Sequence, residues 1–221
     1  MNITIARLAS VFGGIVEPRL INKDDGKING VMWLGSGICV ISLIAGVFLV
    51  LVDLYAEKKD SSKKVELSEE DKFHWKDLTT FGRPFWLVAF SCVFVYSAMF
   101  PFIQLSADDL ELKYGFDKNA AGTLYSVPYL MSAFLSPFLG FVIDKIGKRA
   151  IFIAASSIIV ALACFISAAL PNYESPNYIC LLPEIMIGFG YSIYASALWS
   201  SIPYIVEPRT LGSAFGVVTA L

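Results

Sequence analysis

An all-α, polytopic membrane helix bundle is the fold class this sequence predicts, and three observations predict it. Of 221 residues, 56% are hydrophobic and only 16% charged, against roughly 25% charged in an ordinary soluble domain. Mean hydropathy is +0.65. A hydrocarbon core of about 30 Å takes about 20 apolar residues in a helix. Uncharged runs of that length recur at Val31 to Val52, Pro84 to Ala107, Asn119 to Ile143, Ala150 to Tyr173 and Ile185 to Val206. Net charge is −2 and there is a single histidine, so the chain offers neither a basic nucleic-acid footprint nor a His-based metal or acid–base site. No Ser/His/Asp set, paired intramembrane aspartates or H-E-x-x-H motif points to a hydrolase. No cofactor, metal or nucleic-acid partner is expected, and the lipid bilayer is the expected solvent.

Taken in order, the first segment, Met1 to Val16, has about 16 residues and carries Arg7, which is short for a span. It reads as a truncated helix, and so does the last, Thr210 to Leu221, which is still apolar where the sequence stops. Gly and Pro inside the five full spans are no objection, because neighbouring helices satisfy the backbone groups they free. Tyr55 to Arg83 holds seven basic residues (Lys58, Lys59, Lys63, Lys64, Lys72, Lys76, Arg83) and eight acidic ones if Asp53 is included. So hydrophilic a stretch cannot enter lipid and is too polar for its own core, so it reads as a linker between two bundles. His74 and Trp75 fall within it, His74 as a solvated residue. Trp33 and Trp86, at span ends, read with Trp75 as interfacial anchors.

The four cysteines, Cys39, Cys92, Cys164 and Cys180, lie in or beside apolar runs with no C-x-x-C spacing. They read as small buried hydrophobes. The N-terminus does not resemble a signal peptide. The sequon Asn2-Ile-Thr4 falls in an apolar helix and is discounted. Loop charges give the orientation: eleven basic residues collect on the linker side, with Lys145, Lys148, Arg149 and Arg209 joining the linker's seven, against five (Arg19, Lys23, Lys27, Lys113, Lys118) on the other. The linker side is therefore cytoplasmic, and Pro171 to Asn177, without a basic residue, falls outside. Small residues recur every fourth position at Ser132, Ser136, Gly140 and at Gly188, Ser192, Ser196, Ser200, which lets membrane helices approach closely.

The strongest local pattern is Gly140-Phe-Val-Ile-Asp144-Lys-Ile-Gly147-Lys148-Arg149. Gly140 is expected to allow close packing and Gly147 a tight turn, with Asp144 accepting bonds from a neighbouring helix N-terminus or from Arg209. The bland alternative is a polar loop whose basic residues only set topology. Here the sequence resembles the major facilitator superfamily, whose signature of this form lies on the cytoplasmic loop between the second and third helices of each six-helix half. The resemblance implies that residues 1–54 are the last two helices of the N-terminal half, the first truncated. Residues 55–83 would be the cytoplasmic central loop, and 84–221 helices seven to ten and the start of eleven. The loop contact would latch a cytoplasmic gate.

Three stretches narrow the resemblance to the superfamily's lysosomal dipeptide-carrier branch. They are Ile5-Ala-Arg7-Leu-Ala-Ser10; Phe100-Pro-Phe-Ile with Tyr114-Gly-Phe and Ser126-Val-Pro-Tyr129 through Ser136-Pro137; and Tyr191-Ser-Ile-Tyr-Ala-Ser-Ala-Leu-Trp199 through Leu211-Gly-Ser-Ala-Phe-Gly216.

Arg7 is the most informative residue, because an arginine in an apolar helix costs several kcal/mol on insertion scales unless it faces a cavity or a partner. Its planar fork suits a carboxylate, and the resemblance implies that it holds the carboxy terminus of a bound peptide. Snorkelling to water is the alternative. Glu184 is the one acid well inside a span. It complements the ammonium end of a zwitterion, protonates to couple transport to a proton gradient, or is an edge carboxylate reaching water. Tyr96, Phe100, Tyr125, Tyr129, Tyr191, Tyr194 and Trp199 supply rings that discriminate weakly between side chains, and Tyr129 and Trp199 are the two expected in a cavity. Tyr125 departs from the polar residue the branch leads one to expect.

The resulting expectation is transmembrane transport of small peptides by alternating access without covalent chemistry. A carrier of another small solute (amino acid, organic anion or sugar) and a non-transporting truncated product are the alternatives. The resemblance also implies a lysosomal or vacuolar membrane, with the plasma membrane as alternative, and a glycosylated single-pass accessory subunit.

Overall fold

The computed structural model describes residues 2–23, 28–59 and 81–221. Most of the charged linker, with His74 and Trp75, lies outside the described residues. The order is α1 (Asn2–Lys23), α2 (Asn29–Lys59), α3 (Arg83–Leu112), α4 (Lys118–Tyr125), α5 (Val127–Ile146), α6 (Arg149–Ala169), a 3-10 turn at Tyr178–Cys180, α7 (Leu181–Ile205), a second at Pro208–Thr210, and α8 (Leu211–Ala220). Among the described residues five stretches are long and apolar enough to cross a membrane, with α4 and α5 counting as one and the first 3-10 turn joined to α7.

Two boundaries differ from expectation. α1 does not stop at Val16 but continues through Pro18 to Lys23, as a membrane helix tolerates proline where neighbours satisfy the freed carbonyl. α2 runs past Val52 to Lys59, since Glu57, Lys58 and Lys59 are good helix formers and the two lysines complement the negative C-terminal end.

The chain divides into two compact units, Met1–Val16 with Phe73–Leu221, and Glu17–Lys72. The division falls inside α1. In the second unit α2 has no buried residue, and Cys39 on it is exposed rather than buried. Cys92 and Cys180 are buried as expected, Cys164 is half-buried, and all four are free thiols.

The first unit is built around α7. This helix is hydrophobic on every side, the pattern of a helix surrounded by others, and buried residues run along it from Pro183 to Ile202. α5 and α6 pack on either flank. Gly188 is the closest approach to α5, since a Cβ there would lie 2.8 Å from the Pro128 Cα. Gly190 plays the same part against α6, where a Cβ would meet Val160 at 3.0 Å. The serines of the stripe bond to backbone: Ser192 Oγ donates to the Gly188 carbonyl at 2.6 Å and Ser196 Oγ to the Ser136 carbonyl at 3.4 Å. Gly140 departs from its expected role. A Cβ built there meets open space, because the close contacts between α5 and α7 fall nearer the start of α5.

α4 and α5 form one span broken at Ser126. Pro128 has no N–H to continue the helix, and Ser126 N bonds to the Thr123 carbonyl at 3.2 Å. α1 docks at this break: Ser126 Oγ donates to the Val11 carbonyl at 3.4 Å, and a Cβ on Gly14 would lie 2.5 Å from that hydroxyl. At one end of the bundle the turn after α3 is stitched to the loop before the first 3-10 turn, Tyr173 N to the Lys113 carbonyl at 2.7 Å and Asn177 N to the Tyr114 carbonyl at 3.3 Å. A Cβ on Gly115, at φ +68°, would lie 3.0 Å from the Ser175 backbone, which leaves no room for a side chain.

Candidate functional site

Four helices of the first unit line an open cavity of about 990 Å³. α1 contributes Arg7 and Ser10, α3 contributes Cys92, Val93, Tyr96, Ser97, Phe100 and Pro101, α7 contributes Tyr191 and Trp199, and the segment from Val218 to Leu221 completes the wall. The α3 residues fall at four-residue intervals from Cys92 through Tyr96 to Phe100, one face of a helix. Tyr96 stacks on Phe100 at 5.1 Å and meets the rings of Tyr191 and Tyr194 edge-on at 6.1 and 5.9 Å. Trp199 lies flat on Phe215 at 6.0 Å, which fixes one aromatic wall.

Arg7 is the cation of this cavity. Its guanidinium carbon sits 4.2 Å from the centre of the Tyr191 ring and 5.7 Å from that of Tyr129, within the range where a cation is attracted to a ring face. Its Nε is buried with no hydrogen-bond partner among the described residues. The side chain therefore turns into the bundle and not out to water, and its donors are not used up by a carboxylate. No Asp, Glu or His is among the lining residues.

The structure brings Trp199 to the cavity wall and sets Tyr129 beside Arg7, behind the lining, where its hydroxyl is 3.3 Å from that of Tyr125. Glu184 is not brought to this cavity. Seven residues before Tyr191, it is about 10 Å away along the α7 axis, where its Oε1 accepts the Ser106 hydroxyl. It is 4% exposed, so it does not reach water at an edge either. Tyr191, Tyr96 and Ser10 carry more of the site than the sequence reading gave them. The i, i+4 spacing on α3 is the signal that finds Tyr96, whereas Tyr191, named among the rings, shares an apolar helix with thirteen other buried residues and nothing in its spacing singles it out as the ring that meets Arg7.

At the other end, Gly147 has φ +73° and closes α5 by donating its N–H to the Ile143 carbonyl at 2.8 Å, the tight turn expected of it. The partner that the structure gives Asp144 is Arg149, a residue of the same motif, at 2.7 Å. Arg149 Nε also donates to Ser200 Oγ at 3.1 Å, and its guanidinium lies 4.1 Å from the Tyr204 ring. One side chain thus joins the α5–α6 turn to the end of α7. Lys148 caps the start of α6 through its carbonyl, which accepts from Ile151 N at 3.1 Å.

An all-helical bundle with spans long enough to cross a membrane, a charged glycine-turn loop at one end and a cavity with Arg7 in its wall make this a polytopic membrane protein. The sequence profile of the Major Facilitator Superfamily matches residues 2–221, and the chain belongs to that superfamily. Among curated proteins it is similar to the lysosomal dipeptide transporter MFSD1 of Bos taurus, 31% identical over 206 residues, which is 93% of this chain and 42% of the relative. The Homo sapiens protein of the same name is 32% identical over 193 residues, 86% of this chain and 39% of the relative. That of Danio rerio is 30% identical over 190 residues, 86% of this chain and 40% of the relative. The chain spans about two fifths of the length of these curated relatives. Its apolar spans and its family make it an integral membrane protein.

Proposed function

We propose that the complete protein carries small peptides across a membrane by alternating access, with Arg7 holding the peptide carboxylate, Trp199 bounding the space for side chains and Tyr129 backing the guanidinium from behind the lining. The observation that carries this reading is the guanidinium held on Tyr191 at 4.2 Å at the wall of a 990 Å³ cavity. A half-buried cation with a donor to spare is costly in lipid. The cost is offset when a solute carboxylate takes the fork in two parallel bonds. Rings and short hydroxyls around it make contacts that tolerate many side chains. The relatives named as dipeptide transporters support this solute class, and their name supports a lysosomal membrane over the plasma membrane. In the same reading the Asp144–Arg149 contact, with Gly140, Gly147 and Lys148 around it, latches the cytoplasmic side, and a glycosylated single-pass subunit accompanies the carrier.

Dipeptide flux into liposomes holding the full-length protein tests the proposal. R7A is expected to remove about 2–5 kcal/mol of interaction with the carboxylate, raising the apparent Kd at least tenfold. Unchanged flux with R7A removes Arg7 from the site. One observation favours a second reading, in which the solute is any small carboxylate: among the described residues no acid lines the cavity to meet a peptide ammonium. Competition by monocarboxylates as effective as that by dipeptides selects it.

A further inference from the structure

Glu184 is a buried carboxyl group that the proposed transport site does not use. It lies in the first turn of α7 and faces Ser106 of α3, whose hydroxyl it accepts at Oε1. Its Oε2 is buried with no hydrogen-bond partner among the described residues, and the residue is 4% exposed. The groups around it do not help a negative charge. From α3, Asp109, a second acid, faces it, and Lys113, one turn further, is committed to the Ser167 carbonyl at the end of α6. The Cys180 thiol lies one turn before it on the 3-10 turn. The wall beyond Cys180 is apolar, with the rings of Tyr114, Tyr125 and Tyr173 packed in it.

Among the described residues a carboxylate so placed has one hydroxyl donor and no cation. The N-terminus of α7 favours a negative charge, but by little beside the cost of holding an ion out of water. A neutral acid suits the same space, since Oε1 keeps its donor and the orphaned oxygen carries the proton. Ser106 and Glu184 both sit toward the ends of α3 and α7 that the charge count assigns to the outside. An ionised Glu184 is tolerated there only if the two helices part and let water in.

We propose that Glu184 is a proton-binding site on the outer seam between α3 and α7, neutral while the seam is shut and ionised when it opens. The proton comes from outer-side water and returns to it, converting one carboxylate to one carboxylic acid with no other reactant. Mild acid outside therefore favours the shut seam, and that preference is lost as outer pH rises. The inference goes beyond the transport reading and does not depend on which solute is carried.

Infrared pH-difference spectra of the full-length protein in lipid are expected to contain the C=O stretch of a carboxylic acid that titrates with outer pH. E184Q abolishes that band. S106A keeps the acid but removes the hydroxyl given to Oε1, and is expected to move the band to higher frequency. Labelling of Cys180, 1% exposed, by an impermeant maleimide, located by mass spectrometry, reads the seam directly. It is expected to rise more steeply with pH in the wild type than in E184Q. Absence of a titrating acid band in the wild type, a band unmoved by S106A, or equal pH slopes for Cys180 in the two proteins each overturns the assignment. The infrared comparison of wild type with S106A stands even if E184Q does not fold, and none of these readouts uses a transported solute.

Discussion

Arg149 and Asp144 meet at 2.7 Å, yet the two ends of the pair are not equivalent. The Asp144 side chain is 61% exposed and that of Arg149 only 14%. An exposed ion pair contributes about 0–1 kcal/mol, so D144N is expected to lower stability by no more than that. Arg149 also gives up a bond to Ser200 and its place on Tyr204 when truncated, so R149A is expected to cost about 2–3 kcal/mol. Thermal unfolding in detergent should show a drop several-fold larger for R149A, and equal drops would mean that the contacts to α7 contribute nothing. The same asymmetry bears on Arg7. The sequence marks it because a cation in an apolar run is improbable, but the ring that receives it, Tyr191, carries no such mark. A residue that violates its surroundings is visible in a sequence, whereas one that agrees with them is not.

At the scale of elements, glycines of one stripe type have opposite surroundings. Gly188 is crossed by the start of α5, where a Cβ would press on backbone at 2.8 Å, while Gly140 faces open space. Backbone cannot move aside as a flexible side chain can. G188A is therefore expected to destabilise by about 1–3 kcal/mol. G140A is expected to be neutral or slightly stabilising, since alanine loses less backbone entropy in a helix. Unfolding of the two variants side by side checks this, and equal losses would place a close neighbour at Gly140. Helix existence followed from run length, but the ends did not. α1 passes Pro18 and α2 passes into charged residues, because helix continuation depends on local hydrogen bonding and propensity as well as on hydropathy. The break at Ser126 is legible after the fact in Val-Pro, although hydropathy alone runs straight through it.

For the whole molecule, topology is the property open to direct measurement. Eleven basic residues against five lead to the expectation that the linker is cytoplasmic, by the bias that retains positive loops on that side. In sealed vesicles with the outer face exposed, E174C in the loop between α6 and α7 is expected to react with an impermeant maleimide. S61C in the linker is expected to react only after permeabilisation, and the reverse pattern would invert the bundle. Glu174 is exposed, and the loop that carries it is bonded to the turn after α3. The first unit has a core of its own around α7, whereas α2 presents apolar side chains on every face. Such a surface is stable in lipid, which is as apolar as leucine, and not in water.

By itself the sequence determined the solvent, the number of spans, the signature loop and the unusual cation, because each of these is written as a departure from average composition: too few charges, runs too long, a charge out of place. Only the tertiary structure decided that α7 is the central helix, that Arg7 turns onto Tyr191, that Asp144 is held by Arg149, and that Glu184 is sealed against Ser106, away from the cavity. These are choices among helix faces. In a bilayer every face of an apolar helix reads alike, so packing geometry, not hydropathy, selects which one turns inward.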